Sequence, residues 1–174
     1  MSAPVPLALA LGGNVGPVER TLAHALRQLD RSLGPLRVAS LYRSPAISPI
    51  PQPDFLNTAA LAYTDLAPAE VLGLAKALEL AAGRRAGGRF GPRPLDVDLL
   101  LYGDWRQDAP ELTLPHPRLA ERRFMLEPLA EIAPDLPVPG KNATVRELLA
   151  AVGEQVVEKI GPIRRIRPIG PICF

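Results

Sequence analysis

The sequence predicts an α+β sandwich, in which helices pack on the faces of a mainly antiparallel sheet. Two stretches with helical spacing of apolar residues, around 17–33 and 67–82, alternate with short apolar segments typical of buried strands. Several connections between these segments are too short for the right-handed crossovers that join parallel strands. An antiparallel arrangement is therefore favoured over a doubly wound parallel sheet.

The composition is typical of one globular domain. Hydrophobic residues make up 47% of the 174 residues, and the net charge is only +2, which argues against a uniformly basic surface for nonspecific nucleic-acid binding. The lone Cys173 permits no intramolecular disulfide. Neither a signal-peptide pattern nor an apolar run of about 18 residues occurs. We therefore expect a cytoplasmic protein with neither nucleic-acid nor membrane partners.

The first half of the chain predicts two strand–helix pairs with a further strand between them. An apolar strand over 5–11 precedes the first helix, which ends before Gly34. Alternating apolar residues predict strands over 36–43 and 55–63, and the second helix spans 67–82. The glycine-rich loop after the first strand lacks the Gly-Lys-Ser/Thr ending of a P-loop, so it is interpreted as a structural turn.

The second half predicts a buried strand over 95–102 and a short edge strand over 112–115. His116-Pro117 is predicted to open a helix that Pro128 interrupts. Capping-box spacing, with Thr144 as the N-cap, predicts a final short helix.

Two aspartates at the start of the strand over 95–102 are the main candidates for catalysis. Alternate residues of a strand share a face, so Asp96 and Asp98 would stand roughly 6.6 Å apart. The basic loop before them contains Arg84, Arg85, Arg89 and Arg93. Carboxylates for a metal beside guanidinium groups for phosphates are what a magnesium-bound polyphosphate requires. On spacing alone, a strand end with two solvated aspartates remains the alternative.

Two further polar residues are ambiguous on spacing alone. His116 either caps a helix or donates to a phosphate. Glu79 lies where the helix dipole disfavours a carboxylate, so it is either a solvated residue or a functional one. A hydrolase triad is poorly supported, and the aromatic content of 5% is low for a module that stacks RNA bases. Metal-assisted phosphoryl chemistry is the interpretation that remains.

The motifs together resemble the 6-hydroxymethyl-7,8-dihydropterin pyrophosphokinase family of folate biosynthesis. The matching blocks follow one another over roughly residues 5–140, and 141–174 would be a C-terminal helix and tail of a single domain over 1–174. The blocks include Leu11-Gly12-Gly13-Asn14, Tyr42-Arg43-Ser44-Pro45, Gln52-Pro53-Asp54-Phe55-Leu56-Asn57, Arg93 with Asp96-Val97-Asp98, Leu112-Thr113-Leu114-Pro115-His116, and Arg122 with Phe124.

The resemblance implies a ferredoxin-like sandwich that transfers diphosphate from ATP to 6-hydroxymethyl-7,8-dihydropterin and releases AMP. Two Mg²⁺ ions would be bound by Asp96 and Asp98. The implied catalytic residues are Arg84, Arg93, Asp96 and Asp98. The residues implied for ATP are Lys76, Glu79, Arg93, Leu99, Thr113, His116 and Arg122. The residues implied for the pterin are Ser44, Pro45, Ile47, Phe55, Asn57 and Phe124.

Physical chemistry supports the pterin set, because an aromatic ring and an amide on one strand face suit a flat heterocycle with an amide-like edge.

The resemblance leaves open whether Arg85 or Arg89 completes the arginine loop, whose Gly87 and Gly88 favour a mobile lid. A monomer is favoured over a dimer. An ATP-dependent kinase that releases ADP and a noncatalytic binding module remain the alternative functions.

Overall fold

The computed structural model describes residues 3–84 and 91–163, and these form a sheet with four helices. The helices are α1 (Val18–Leu33), α2 (Pro68–Ala81), α3 (Arg123–Ile132) and α4 (Val145–Ala151). The strands are β1 (Val5–Gly13), β2 (Arg37–Val38), β3 (Leu41–Ser44), β4 (Phe55–Thr64), β5 (Asp96–Tyr102), β6 (Gln107–Asp108), β7 (Thr113–Leu114), β8 (Pro137–Val138), β9 (Ala143–Thr144) and β10 (Glu158–Gly161).

The main sheet has six strands, and five of them follow the order β10-β3-β4-β1-β5, while β2 pairs with β4. Every pairing among the described residues is antiparallel. The predicted α+β sandwich with a mainly antiparallel sheet is therefore confirmed. Because β5 lies at one end of this order, its outer edge has no neighbouring main-sheet strand among residues 3–84 and 91–163. The two candidate aspartates lie at the start of this edge strand.

Helices cover both faces of the sheet. Leu7, Leu9 and Leu11 of β1 belong to a core cluster that also contains the buried residues of α1 and, from α2, Val71 and Ala75. Ala8 of β1 belongs to the cluster on the opposite face, which contains Met125, Leu126, Leu129 and Ile132 of α3. Successive residues of a strand point to opposite faces, so a strand between two helical layers is apolar throughout. Within 3–84 and 91–163, none of the helices is both long and apolar enough to cross a membrane.

The single strand predicted over 36–43 is wrong, because β2 and β3 are separate. At Ser40, between them, the backbone N–H donates to the Glu131 carboxylate of α3 at 3.2 Å. This hydrogen bond to a side chain far away in sequence interrupts the strand, and the alternation of apolar residues contains no sign of it.

The helix predicted to open at His116-Pro117 is also wrong. A 3₁₀ turn spans Leu119–Glu121, and α3 begins only at Arg123. Pro128 lies inside α3 rather than interrupting it. Proline removes one helical hydrogen bond, but its neighbours Leu126 and Leu129 are fully buried, and this packing holds the helix together.

The capping box is confirmed, because Thr144 accepts the backbone N–H of Glu147 while its own backbone N–H donates to the Glu147 carboxylate. Two other expectations concern segments that lie outside the described residues. Residues 85–90 include Arg85, Arg89 and the two glycines of the expected lid, and the tail from residue 164 onward is likewise not described.

Candidate active site

An open cavity of about 430 Å³ lies where β1, β4 and β5 meet the turn before α3. It brings together residues that are distant in sequence, including every residue predicted to bind the pterin. Its lining includes Ser44, Pro45, Ile47, Phe55, Asn57 and Phe124 of that set, and Arg93, Asp96, Asp98, His116 and Arg122 of the catalytic and nucleotide sets.

Asn57 is fixed at one end of the cavity. Its side chain is only 5% exposed, and its amide donates to the Ser44 hydroxyl at 2.9 Å across the β3–β4 pair. A Cβ at Gly12 would lie 2.8 Å from the Asn57 amide oxygen, so the glycine allows β1 to approach this side chain. With Phe55 two residues away on the same strand, this end presents an aromatic ring beside an oriented amide.

Asn14 connects the two ends of the cavity. Its backbone N–H donates to the Arg93 carbonyl at 2.9 Å, and its side-chain oxygen accepts the Arg93 N–H at 2.8 Å. Its amide nitrogen donates to Gln52 at 2.9 Å and to the Pro53 carbonyl at 3.0 Å. The loop interpreted as a structural turn therefore joins the proline-rich segment to the arginine loop. Sequence reasoning did not assign this role, although an asparagine directly after two glycines was a signal for it.

Asp96 is held by two arginines. Arg84 Nη1 lies 2.7 Å from Asp96 Oδ1, and Arg93 Nη1 lies 2.8 Å from Oδ2. Asp98 faces the same cavity, and loss of solvation raises its pKa to about 6, helped by the negative charge of Asp96 and opposed by Arg122. The site thus holds two carboxylates, of which Asp96 acts on the ionisation of Asp98, with guanidinium groups around them.

Glu79 is buried, with 3% exposure, so the interpretation of a solvated helix residue is wrong. One carboxylate oxygen accepts the backbone N–H of Val97, between the two aspartates, at 2.9 Å. The carboxylate also forms ion pairs with Arg84 and Lys76. Glu79 therefore covers part of the open edge of β5 and connects α2 to the aspartates through Arg84.

His116 and Arg122 lie on the other side of the aspartates. The backbone N–H of His116 donates to the Leu100 carbonyl of β5 at 2.8 Å. The ring Nδ1 of His116 accepts the backbone N–H of Arg118 at 3.2 Å. Burial, aided by the positive charge of Arg122, lowers the His116 pKa to about 4. The ring is therefore neutral at physiological pH and carries its proton on Nε2, where it can donate to an anion. The guanidinium carbon (Cζ) of Arg122 also lies 5.5 Å from the centre of the Phe124 ring.

Four residues of the predicted nucleotide set, among them Glu79, lie outside the cavity lining. Lys76 forms an ion pair with Glu79, and Leu99 is a buried core residue. The single proton of the Thr113 hydroxyl is shared between the Asp108 carboxylate and the Ala109 carbonyl. Their contacts with ATP stay predictions.

The two aspartates suit magnesium if the substrate supplies further ligands. The described residues contain no group of three or more His, Cys, Asp or Glu side chains that could hold a metal on their own. Mg²⁺ usually binds one or two carboxylates and completes its shell with waters and substrate phosphates. A pair of carboxylates beside phosphate-binding arginines therefore fits that ion.

Comparison with known families agrees with this geometry. The family model described as 7,8-dihydro-6-hydroxymethylpterin-pyrophosphokinase (HPPK) matches residues 8–134. The chain belongs to this family. The match includes both aspartates, Glu79, His116 and the residues that line the pterin end of the cavity, so the resemblance inferred from the motifs is confirmed.

Relatives named as HPPK enzymes match over most of the chain. The 2-amino-4-hydroxy-6-hydroxymethyldihydropteridine pyrophosphokinase of Synechocystis is 40% identical over 156 residues, which cover 88% of this chain and 80% of that one. The protein of the same name from Pseudomonas aeruginosa is 39% identical over 155 residues, covering 87% of this chain and 94% of that one. The prediction that this chain is a pyrophosphokinase of the folate-biosynthesis family is therefore confirmed.

A solved structure shows the fold. The HPPK-DHPS protein of Plasmodium falciparum, solved with pteroate, superimposes with a TM-score of 0.69 at 13% identity. The alignment covers 87% of this chain and 45% of that one, so this chain spans less than half the length of that protein. The ferredoxin-like arrangement expected for an HPPK chain is confirmed.

Proposed function

We propose that this chain is a Mg-dependent transferase that moves the β,γ-diphosphate of ATP to 6-hydroxymethyl-7,8-dihydropterin in folate biosynthesis. The hydroxymethyl oxygen forms a bond to the β-phosphorus and releases its proton to solvent, the bond from that phosphorus to the α–β bridging oxygen breaks, and AMP leaves with that oxygen. The observation that carries this proposal is a single cavity with Phe55 and Asn57 at one end and Asp96 and Asp98 at the other.

The pterin end would orient the acceptor. Asn57 can both donate and accept hydrogen bonds, which suits the amide-like edge of the pterin ring, and Phe55 and Phe124 offer aromatic surfaces in the same cavity. Because Ser44 already accepts one Asn57 N–H, the amide is oriented before the ligand arrives. Such preorganisation lowers the entropic cost of bringing the hydroxymethyl group to the phosphorus.

The phosphate end would neutralise charge. Phosphoryl transfer depends mainly on positioning and on electrostatic stabilisation, and it needs no protein nucleophile. Arg93, Arg122 and the Nε2–H of His116 are the donors that would bind phosphate oxygens. Asp96 and Asp98 would hold Mg²⁺, which supplies charge neutralisation and alignment of the triphosphate when bound.

Arg84 has a further role in this proposal. In the structure, Arg84 and Arg93 both pair with Asp96, so the same carboxylate that would bind the metal now binds two guanidinium groups. Binding of the metal to Asp96 would free these groups for the phosphates.

We further propose that the protein works as a cytoplasmic monomer.

Product analysis distinguishes this function from its alternatives. The full chain, incubated with ATP, magnesium and the reduced pterin, should form AMP and the pterin diphosphate in equal amounts. A matched incubation without pterin controls for ATP hydrolysis. Formation of ADP would support a simple kinase, and absence of any nucleotide product would support a binding module.

A further inference from the structure

Arg118 lines the candidate cavity but belongs to none of the predicted sets. It follows Pro117 in the turn before the 3₁₀ segment, and its side chain is exposed on the side of the cavity formed by His116 and Arg122. Within 3–84 and 91–163, its guanidinium has no acidic partner at salt-bridge distance, whereas Arg84 and Arg93 each pair with Asp96. Arg118 therefore brings a positive charge to the cavity that no described carboxylate balances.

The backbone of Arg118 is fixed although its side chain is exposed. Its N–H donates to His116 Nδ1 at 3.2 Å, and its carbonyl accepts the Glu121 N–H at 3.1 Å. The hydrogen bond to Nδ1 leaves the His116 proton on Nε2. The same turn thus fixes the tautomer of His116 and positions the backbone from which the longer Arg118 side chain extends.

Two guanidinium groups, those of Arg118 and Arg122, line this side of the cavity. Burial lowers the pKa of Arg122, and the nearby charge of Arg118 lowers it further, against the opposing effect of Asp98. Bringing two guanidinium groups near each other is unfavourable unless an anion lies between or beside them. A polyanion with several oxygens satisfies this arrangement, because each guanidinium presents a planar fork of donors.

We propose that Arg118 is a further contact for the triphosphate of ATP, on the side of the cavity formed by His116 and Arg122. This inference rests on the proposed function and adds a residue to its phosphate site. Arg118 acts on substrate binding through charge and hydrogen bonding, from an exposed position.

The test compares Arg118→Gln, Arg118→Lys and the control Arg146→Gln. Arg146 pairs with Asp135 on the surface, outside the cavity. Loss of a charged hydrogen bond should raise KM for ATP about tenfold in Arg118→Gln. The value of kcat, KM for the pterin and the melting temperature should stay unchanged. Arg118→Lys should recover part of the affinity, because it keeps the charge but loses the fork.

Calorimetry with inorganic tripolyphosphate and magnesium gives a second readout that is independent of turnover. Arg118→Gln should weaken tripolyphosphate binding by the same factor as ATP binding, while Arg146→Gln binds like the wild type. Unchanged tripolyphosphate affinity in Arg118→Gln would overturn the inference, as would equal losses for ATP and the pterin. If the wild type formed no AMP, the proposed function would fail, and tripolyphosphate binding would still decide the role of Arg118.

Discussion

The Glu79 carboxylate of α2 accepts the backbone N–H of Val97 at 2.9 Å, in the peptide segment between Asp96 and Asp98. An edge strand leaves backbone groups without strand partners, and here a buried side chain takes the place of a neighbouring strand. The same carboxylate pairs with Arg84, which also binds Asp96. Glu79 therefore fixes both the backbone that carries the aspartates and one of the arginines beside them.

Glu79→Ala should destabilise the fold by about 1–3 kcal/mol, because it leaves the buried Val97 N–H without an acceptor. Glu79→Gln keeps an acceptor and loses the ion pairs, so its effect on the free energy of unfolding should be smaller. Urea denaturation of both variants measures the difference. Equal stability of Glu79→Ala and the wild type would contradict this role.

Asn14→Ala should reduce kcat/KM about tenfold, because the segments that carry Gln52 and Arg93 would no longer be held together by one side chain. Steady-state kinetics with ATP and the pterin varied in turn measures this effect. Asn142→Gly is the control, since Asn142 is exposed and has a φ of 48°, which glycine adopts without strain. An Asn14→Ala enzyme with wild-type kinetics would show that the connection is not needed for turnover.

Much of the architecture was predictable because apolar periodicity is a local property. The strand that carries Phe55 and Asn57 and the helix that carries Glu79 follow from that periodicity, and alternation along a strand put Asp96 and Asp98 on one face. The partners of Glu79 were not predictable, since Val97 is 18 positions away and its N–H becomes available only when β5 takes an edge position. Arg118 was missed for a similar reason, because only the folded turn brings it beside Arg122.

Asp98→Asn should lower magnesium-dependent turnover about 100-fold or more, because the phosphate charge would be less well neutralised in the transition state. Adding EDTA to the wild type should abolish turnover, and excess magnesium should restore it. The magnesium concentration for half-maximal rate should rise in Asp98→Asn. Wild-type turnover and magnesium dependence in this variant would show that Asp98 is not a metal ligand.

The pH dependence of stability should reveal the contact between α3 and β3. Burial alone would raise the pKa of Glu131, but hydrogen bonds from Tyr42 and Ser40 outweigh it and hold the pKa below its usual 4.5. Such a carboxylate stabilises the fold above its unfolded pKa, and this contribution is lost as the pH falls through the folded value.

Glu131→Gln should therefore destabilise the protein most at neutral pH, and progressively less as the pH falls below about 4.5. Urea denaturation of the wild type and of the variant at several pH values measures the difference in unfolding free energy. A difference that is the same at neutral and acid pH would contradict this account of the Glu131 hydrogen bonds.

The fate of the β-phosphate tests the central claim most directly. ATP labelled with ³²P at the β-position, incubated with the full chain, magnesium and 6-hydroxymethyl-7,8-dihydropterin, should transfer its label to the pterin product and leave unlabelled AMP. Separation of the products by chromatography measures both. Label that stays with the nucleotide as ADP, while the pterin receives only the γ-phosphate, would contradict diphosphate transfer.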